Sequence, residues 1–293
     1  MIIVQLNGGL GNQMFQYAAG RALSLIQKTE LKLDVSFLLD RSPRQKGFVY
    51  RDFDLNIFNL PVNFASKEEL SLLNKKILAN KTIDRIVKKA IGKKITYFKE
   101  PHFHFYRKFF SLGANLYLDG YWQSEKYFKD HSQVIRQDFT FKNKPQGKTL
   151  DLLNKIKSEN AVCVNVRRGD FITTPLHGIL DTGYYKTAEN LINEKVSSPY
   201  FYVFSDDIGW CREHLTFSGP TNYVSHDFAG EKFQEYLQLM IQCKHFIIPN
   251  SSFGWWAAWL NNNPEKIVIA PKRWFNKGPK DTQDLIPETW IQI

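Results

Sequence analysis

The second half of the chain alternates short strand-like apolar segments with helix-like segments, and this alternation restricts the fold more than any other feature. The predicted strands cover residues 162–166, 200–205, 246–249 and 267–270, and the predicted helices lie at 184–194, at 233–242 and from Phe253 onward. Strands that alternate with helices form a parallel sheet of the doubly wound kind. Because ligands of such sheets gather at the carboxyl ends of the strands, we expect a site in the loops that follow them.

Three of these loops carry polar or charged side chains. The strand at 161–166 runs directly into Arg167, Arg168, Gly169 and Asp170. Adjacent guanidinium groups match phosphate oxygens, a glycine lets the backbone approach a ligand, and an aspartate can hold an arginine in place. The other two loops contain Asp206 with Asp207, and residues 250–253. A solvated Arg–Asp turn is the alternative interpretation, and the convergence of three such loops favours one shared site.

The start of the chain has a similar layout of strand, glycine loop and helix. Residues 2–6 are the predicted strand, Gly8-Gly9-Leu10-Gly11 the loop, and about 12–26 an amphipathic helix. A dinucleotide-binding G-x-G-x-x-G is excluded, because its last glycine falls on Met14. The loop can present backbone N–H groups and the amides of Asn12 and Gln13 to a sugar. A glycine turn that only permits close packing is the alternative.

Cysteine content and hydropathy limit the class of protein. The three cysteines, at 163, 211 and 243, are far apart and have no C-x-x-C spacing, so neither a disulfide framework nor a zinc site is expected. The N-terminus lacks the order of regions found in a signal peptide, and no apolar run approaches the ~20 residues of a membrane span. We therefore expect a cytoplasmic protein, or one peripheral at the inner membrane.

The basic charge of the chain is local. Residues 41–110 contain 16 Lys and Arg against 6 Asp and Glu, which accounts for the whole net charge of +10. Within this region, residues 81–94 combine an apolar helical face with surrounding lysines and arginines. This pattern suits a helix resting on anionic lipid, and a docked helix with a solvated basic face is the alternative. No nucleic-acid-binding motif accompanies the charge, so nucleic acid is not an expected partner.

Two further patterns lie between these regions. Asp52-Phe53-Asp54 is a D-x-D of the kind that holds a divalent metal, but two nearby carboxylates are common and Arg51 can neutralise one, so no metal site is predicted. Tyr121 and Trp122 precede Gln123, and two rings beside an amide can form a platform for an acceptor sugar. Packing of both rings in the core is the alternative.

Four segments resemble one enzyme family. Residues 164–170, Val-Asn-Val-Arg-Arg-Gly-Asp, are similar to the H-x-R-R-x-D motif of fucosyltransferases that use GDP-fucose. The other segments are 8–16, Gly-Gly-Leu-Gly-Asn-Gln-Met-Phe-Gln, then 204–207, Phe-Ser-Asp-Asp, and 250–256, Asn-Ser-Ser-Phe-Gly-Trp-Trp. In this order they resemble the bacterial α-1,2-fucosyltransferases of glycosyltransferase family 11. The family's usual first His is Asn165 here, and because an amide cannot titrate, a proton-carrying role does not transfer to this position.

The resemblance implies an α/β fold with two Rossmann-like domains facing a cleft, the GT-B type of glycosyltransferase. Residues 141–147, with Lys, Asn and Pro, indicate an interdomain linker. We therefore expect an acceptor-side domain over 1–147 and a GDP-fucose-binding domain over 148–293, with the last residues crossing back. The implied reaction is inverting transfer of L-fucose from GDP-fucose to the 2-hydroxyl of a terminal galactose, in surface polysaccharide or lipopolysaccharide synthesis. The expected partners are GDP-fucose and a galactose-terminated oligosaccharide, with no cofactor and no metal.

The resemblance also implies roles for single residues. Arg167 or Arg168 would stabilise the departing GDP, Asp170 would orient an arginine or lie near the acceptor hydroxyl, and Asn12 would lie close to the fucose. Asp206 or Asp207 would accept hydrogen bonds from guanine. The remaining expected contacts to the sugar nucleotide are Gly9, Gln13, Asn165, Ser251, Ser252 and Phe253, with the two serines at a helix N-terminus that favours phosphate. A simple Ser N-cap is compatible with this role.

The sequence does not identify a general base. The leaving phosphate oxygen and a carboxylate such as Asp119 are both open. Two other functions also stay open: a fucosyltransferase with a different acceptor or linkage, and a non-catalytic sugar-nucleotide-binding protein.

Overall fold

The computed structural model describes residues 1–44, 48–71, 73, 95–173 and 176–293. The basic segment 81–94, with its predicted membrane-surface helix, lies outside the described residues. The chain divides into two compact units: unit 1 consists mainly of Met1–Arg44 and Tyr50–Thr140 and includes Gln283–Leu285, and unit 2 consists mainly of Phe141–Thr282 and Ile286–Ile293. The chain changes units after Thr140, ahead of the expected boundary at 147. The division of roles between the units stays a prediction.

The described helices and strands follow in chain order. Unit 1 contains β1 (Ile2–Gln5), α1 (Leu10–Ile26), β2 (Leu31–Asp34), α2 (Ser36–Leu39), α3 (Lys67–Ser71), β3 (Thr96–Lys99), β4 (Leu116–Asp119) and α4 (Ser132–Asp138). Unit 2 contains α5 (Gly147–Ser158), β5 (Ala161–Val166), α6 (Thr182–Lys195), β6 (Tyr200–Ser205), α7 (Ile208–His214), β7 (Thr221–Tyr223), α8 (Gln234–Ile241), β8 (His245–Ile247), α9 (Ser252–Leu260), β9 (Val268–Ala270) and β10 (Ile291–Gln292). Short 3₁₀ helices lie at Leu55–Ile57, Phe109–Ser111, Glu125–Tyr127, Lys129–His131, Gly169–Phe171, His226–Phe228 and Glu231–Phe233.

The sheet of unit 1 is parallel and has the order β2-β1-β4-β3. Ile2 of β1 aligns with Leu31 of β2 on one side and with Leu116 of β4 on the other. The helix α1 packs closely on β1 because Gly20 has no side chain, and a Cβ there would lie 2.2 Å from Val4 Cγ2. β1 lies between β2, which is the next strand in the chain, and β4, which the chain reaches only after crossing to β3. The topological switch point therefore lies between β1 and β4, at their carboxyl ends.

The sheet of unit 2 is also parallel, with the order β10-β9-β8-β5-β6-β7. From β5 the chain proceeds to β6 and β7 on one side and then returns to β8 on the other. Every residue of β5 is buried, as expected for a central parallel strand covered on both faces. The topological switch point of unit 2 therefore lies at the carboxyl end of β5.

Burial of apolar side chains in the core of unit 2 explains why β5, α6 and α9 form. Val162, Val164 and Val166 point to the same face of β5 and pack in one buried cluster with apolar side chains of α6, including Ala188 and Ile192. Burying each of the valine and isoleucine side chains stabilises the fold by about 1.5–3 kcal/mol. On α9 the residues from Gly254 to Leu260 are all buried, so this short helix is a core helix rather than an amphipathic surface helix.

The α/β class with Rossmann-like parallel sheets is confirmed. The predicted strand at 200–205 is β6 as expected, and the predicted helices at 184–194 and 233–242 are α6 and α8 with slightly different ends. β3, in a basic and polar region, lacks the long apolar run that would have predicted it. The three cysteines are buried free thiols. None of the helices in the described ranges has the length and apolar character needed to cross a bilayer.

Candidate active site

Arg167 and Arg168 follow β5 directly and lie at the switch point of the unit 2 sheet. The loop after β6 reaches them, because Asp206 pairs with Arg167. The loop after β8 leads into α9, whose Gly254 lies against Asn165 of β5: a Cβ on Gly254 would be 2.6 Å from Asn165 Oδ1. The structure therefore brings all three predicted polar loops to one edge of the sheet.

Two carboxylates hold the guanidinium group of Arg167. Its Nη2 donates to Asp170 Oδ1 at 2.5 Å, and its Nη1 pairs with Asp206 Oδ2 at 2.7 Å. The guanidinium carbon lies 5.4 Å from the centre of the Phe171 ring. Because a guanidinium carries five N–H donors, these contacts orient Arg167 without exhausting its capacity to bind an anion.

A carboxylate and an indole ring hold Arg168. Its Nε donates to Asp207 Oδ2 at 3.1 Å, and its guanidinium carbon lies 3.8 Å from the centre of the Trp210 ring. Its backbone N–H donates to Asp206 Oδ1 at 2.9 Å. Stacking on an aromatic face and pairing through Nε leave the far edge of the guanidinium to face a ligand, which suits bidentate contact with phosphate.

The observed partners of Asp206 and Asp207 are arginines and backbone. Asp206 accepts from Arg167 and from the Arg168 backbone, and Asp207 accepts from Arg168 and from the N–H of Trp210, at the N-terminus of α7. Gly169 makes this arrangement possible, since a Cβ there would lie 2.4 Å from Asp206 Oδ2. The two carboxylates thus position the arginines, and their expected contact with guanine stays a prediction.

Asn165 is buried, with 7% of its surface exposed, and connects β5 to its neighbours. Its Nδ2 donates to the carbonyl of Phe204 on β6 at 3.1 Å. Its Oδ1 packs against the first turn of α9 beside Gly254. The visible role of this amide is to join two strands and a helix, and its contact with the sugar nucleotide stays a prediction.

Ser251, Ser252 and Phe253 lie at the start of α9. Ser251 is the N-cap residue; its carbonyl accepts from Trp255 N, while its hydroxyl makes no capping hydrogen bond within the described residues. The first N–H groups of a helix have no partners inside the helix, and they carry partial positive charge. This helix start is therefore suited to a phosphate, as the sequence predicts.

A cavity of about 450 Å³ lies beside this edge of the unit 2 sheet. Its lining includes Phe171, His177, Asn250 and Arg273. His177 stacks on Phe171 with 4.3 Å between ring centres, and burial lowers its pKa, with Asp170 opposing and Arg167 adding to that shift. Asn250 donates to the backbone carbonyls of His177 and Trp274, which fixes the cavity wall.

The glycine loop of unit 1 lies at the switch point of its own sheet. Gly8 has a φ of +74°, and its missing side chain leaves room for the amide of Asn12, which would lie 2.4 Å from a Cβ there. Asn12 Oδ1 accepts from Gln123 Nε2 at 2.8 Å, which connects the first turn of α1 to the loop after β4. Gly9 is the N-cap residue of α1. The predicted sugar contacts of Gly9 and Asn12 stay predictions.

The side chain of Gln13 is buried and makes hydrogen bonds within unit 1. Its buried amide donates to the carbonyls of Gly8 and Asp52 and accepts from the N–H of Asp54. These bonds use both N–H groups of the amide, so Gln13 fastens the D-x-D segment to α1 rather than presenting an open amide to a sugar. Its expected contact with the sugar nucleotide stays a prediction.

The D-x-D carboxylates do not form a metal cluster. Asp52 pairs with Arg41, at 2.5 Å between Oδ1 and Nη2. In the ranges that the structure describes, no three His, Cys, Asp or Glu side chains come close enough to hold a metal ion. Metal independence of the reaction stays a prediction.

The predicted sugar platform after β4 divides into two parts. Trp122 is fully buried and packs against Phe109, so the alternative interpretation as core is correct for this ring. Tyr121 is 42% exposed and is accessible to a ligand. Both backbone N–H groups donate to the carboxylate of Glu100, at 2.7 Å from Tyr121 and 3.0 Å from Trp122.

An ordered pair of arginines beside a helix N-terminus, at the switch point of a parallel sheet, is an arrangement for binding a sugar-linked phosphate group. The family model for glycosyl transferase family 11 matches residues 63–293. An α-1,2-colitosyltransferase of Escherichia coli is 32% identical, and the alignment covers 100% of this chain and 99% of that protein. The chain is therefore a glycosyltransferase. It belongs to glycosyltransferase family 11.

Two other similarities are relevant. A galactoside 2-α-L-fucosyltransferase, Sec1 of Mus musculus, is 34% identical over 48% of this chain and 40% of its own length. A solved structure of a mutant Arabidopsis thaliana FUT1 in complex with GDP matches with a TM-score of 0.50 and 14% identity, covering 92% of this chain and 70% of that one. This last likeness concerns the fold alone.

Sequence reasoning missed several residues around the site. Neither Trp210 nor His177 belongs to one of the family-like motifs. Trp210 lies three positions after the N-cap residue Asp207, where the side chain of a helical residue points back toward the loop. Glu100 lies in a region where no strand was predicted. A strand prediction for 96–99 would have placed it at a carboxyl end.

Proposed function

We propose that this glycosyltransferase moves L-fucose from GDP-fucose, with inversion at C1, to the 2-hydroxyl of a terminal galactose on a glycan. The observation that carries the proposal is the fixed pair of Arg167 and Arg168 at the switch point of the unit 2 sheet. Preorganised cations stabilise a diphosphate leaving group without reorganising during the reaction. The mouse fucosyltransferase relative supports both the fucosyl donor and the linkage.

The proposed step is an in-line displacement through an oxocarbenium-like transition state. The acceptor oxygen forms a bond to C1 of fucose, the bond from C1 to the phosphate oxygen breaks, and GDP leaves with the electron pair. Arg167 and Arg168 neutralise the charge that develops on GDP, and the N–H groups of Ser252 and Phe253 assist. Asp170 orients Arg167. No metal is required, because the guanidinium groups supply the positive charge.

The proposed setting is synthesis of a surface polysaccharide or lipopolysaccharide at the cytoplasmic face of the inner membrane. Asn12 and Gly9 of unit 1 are the proposed contacts near the transferred sugar. Asp206 or Asp207 remains the proposed contact for guanine. If one of these carboxylates binds guanine, it gives up part of its contact with the arginine when the donor binds.

A second candidate differs in the donor sugar. The E. coli relative that aligns along the whole chain is a colitosyltransferase, which favours a colitosyl sugar nucleotide as an alternative donor. The arginine pair would serve both donors equally, because it faces the diphosphate. A transferase with another acceptor, or a protein that binds the sugar nucleotide without turnover, are the remaining outcomes of the test.

The test measures GDP release and product formation with GDP-fucose and lactose, with and without EDTA, and compares GDP-colitose as donor. The variants are Arg167→Ala, Arg168→Ala and the corresponding lysine substitutions. Arg212→Ala is the matched control, because Arg212 is exposed on α7 and bonds only a backbone carbonyl in the described part of the chain. We expect fucosyl-lactose in EDTA, a loss of about 10²–10³ in rate for at least one alanine variant, and no loss in the control.

Other results would redirect the proposal. Activity lost in EDTA would contradict metal independence. A higher kcat/KM with GDP-colitose would favour the second donor. Hydrolysis of GDP-fucose without transfer to lactose would indicate a different acceptor, and tight GDP binding without either reaction would favour a binding protein.

A further inference from the structure

Glu100 lies at the carboxyl edge of the unit 1 sheet, immediately after β3. Its N–H donates to the carbonyl of Asp119 at 2.8 Å, which continues the ladder between β3 and β4. Its two carboxylate oxygens accept separately from the N–H groups of Tyr121 and Trp122. The carboxylate is therefore fixed in position, and each oxygen keeps a second lone pair for another donor.

The chain makes room for this carboxylate. Gly120 lies directly over it: a Cβ at Gly120 would be 2.4 Å from Glu100 Cβ and 2.8 Å from Oε2. Any larger residue at 120 would push Glu100 or the loop aside. The loop covers part of the residue, and the residue as a whole is half-buried and keeps some exposure to solvent.

The surroundings suit a polyhydroxylated ligand. Tyr121 and Tyr97 expose 42% and 53% of their surfaces next to this edge, and exposed tyrosine rings offer flat apolar faces with polar tips. Gln123 is 6% exposed; its amide nitrogen donates to Asn12, while its oxygen has no hydrogen-bond partner within the described ranges. A buried acceptor without a partner is costly, and a sugar hydroxyl would satisfy it.

The same region lies at the switch point between β1 and β4. Gln16 connects the two loops there, because it accepts from the N–H of Asn7 and donates to the carbonyl of Gly120. Ligands of open parallel sheets bind at such points. Glu100 is thus a positioned carboxylate beside a site that can hold a sugar.

We infer that Glu100 is the general base of the transfer: its carboxylate takes the proton of the attacking acceptor hydroxyl, at an acceptor-sugar subsite on unit 1. This inference rests on the proposed function. As the hydroxyl oxygen bonds to C1 and the bond from C1 to the phosphate oxygen breaks, the proton moves to a Glu100 oxygen and GDP departs with the electron pair. No other reactant is needed.

The electrostatic environment fits a base that works near neutral pH. Burial raises the pKa of Glu100 to about 7; the N–H groups of Tyr121 and Trp122 lower it in part, and Asp119 adds to the increase. The titratable groups that face it are Asp119 of β4, Tyr121 of the loop and Tyr127 of the 3₁₀ helix. A base is most efficient when its pKa is close to the working pH.

The first measurement is the pH dependence of kcat/KM for the acceptor in the unmodified enzyme, because it needs no variant. We expect activity to fall below a pKa near 7, as the carboxylate becomes protonated. The variants Glu100→Gln and Glu100→Asp follow, with Glu68→Gln as the control at an exposed glutamate of α3. We expect Glu100→Gln to lose about 10²–10⁴ in kcat/KM and its acidic limb, with unchanged GDP affinity.

Each outcome decides the inference. Glu100→Asp should keep an acidic limb with intermediate activity, which a purely structural role would not produce. An unmodified enzyme without a limb between pH 5 and 8 would overturn the assignment even if no variant folds. Loss of activity in Asp119→Asn with none in Glu100→Gln would move the role to Asp119. If the unmodified enzyme transfers no fucose at all, the proposed function fails first, and the two failures are distinct.

Discussion

Replacing Gly169 with alanine adds a single methyl group beside the carboxylate that holds Arg167. The new Cβ would lie 2.4 Å from Asp206 Oδ2, closer than nonbonded atoms can approach, and 3.3 Å from its Cγ, which is a tight contact. The same Oδ2 pairs with Arg167 Nη1 at 2.7 Å. Because the carboxylate ends a rotatable side chain, we expect it to turn away from Arg167 while the backbone stays in place.

The magnitude follows from the pair that is disturbed. A hydrogen bond to a charged group contributes about 1.5–3 kcal/mol, and exposed ion pairs contribute at most about 1 kcal/mol. The Arg167 and Asp206 side chains are 27% and 14% exposed, so we expect a loss of about 1–2 kcal/mol. If this loss falls on the transition state, kcat/KM drops about 5- to 30-fold. The melting temperature should fall by only a few degrees.

The assay is the initial rate of GDP release with GDP-fucose and lactose, together with a thermal melt of each variant. Gly209→Ala is the matched control, because no heavy atom lies within 4 Å of a Cβ at that position on α7. We expect the control to keep its activity and to gain up to about 1 kcal/mol of stability, since alanine favours a helix over glycine. A Gly169→Ala enzyme with the kcat/KM of the unmodified protein would refute the positioning of Arg167 by Asp206.

Three further predictions concern other contacts of the site. Trp210→Leu removes the ring beneath Arg168 and should lower kcat/KM about 3- to 30-fold, whereas Trp210→Phe keeps a ring and should lose less; equal losses in the rate assay would contradict the stacking role. Asp207→Asn keeps an equally good N-cap but loses its charge, so it should reduce kcat/KM about 2- to 5-fold with little change in a urea melt, while Asp207→Ala should also lose about 1 kcal/mol of stability. Burial raises the pKa of Glu100 from 4.5 to about 7, so the folded state holds its proton longer than the unfolded state, and the free energy of unfolding should fall by about 3 kcal/mol as pH rises from 4.5 to 7. Glu100→Gln should lack this contribution, and an unchanged pH slope in urea unfolding of the variant would be evidence against it.

The sequence predicted the architecture of unit 2 well, because the patterns that define its strands and helices each lie within a short stretch of the chain. Alternating apolar segments predicted the parallel sheet, and the polar residues at strand ends were expected at one edge of it, where the structure brings them together. Unit 1 was harder to predict. β3 and β4 are short and lie beyond a long basic segment. For Trp122, a ligand platform and core packing both stayed open, because a sequence pattern does not tell a buried ring from an exposed one.

The local sequence could also not say which partner each polar group takes. In the structure, Asp206 and Asp207 hold arginines that lie 38 or 39 positions earlier in the chain. The expected contact of Asp206 or Asp207 with guanine stays a prediction. The buried amide of Gln13 fastens residues 52–54 to α1, and its expected contact with the sugar nucleotide stays a prediction. Such partners depend on strand order, which a motif does not contain.

By itself, the sequence determined the α/β class, the family and the two arginines after β5, because these depend on periodicity and on contiguous motifs. Only the tertiary structure decided that Trp210 lies under Arg168 and that Glu100 is a half-buried carboxylate beneath Gly120. The physical reason is that the charge state and direction of a side chain depend on its neighbours across the sheet. Those neighbours are brought together by the order β2-β1-β4-β3 in unit 1 and by the adjacency of β5 and β6 in unit 2.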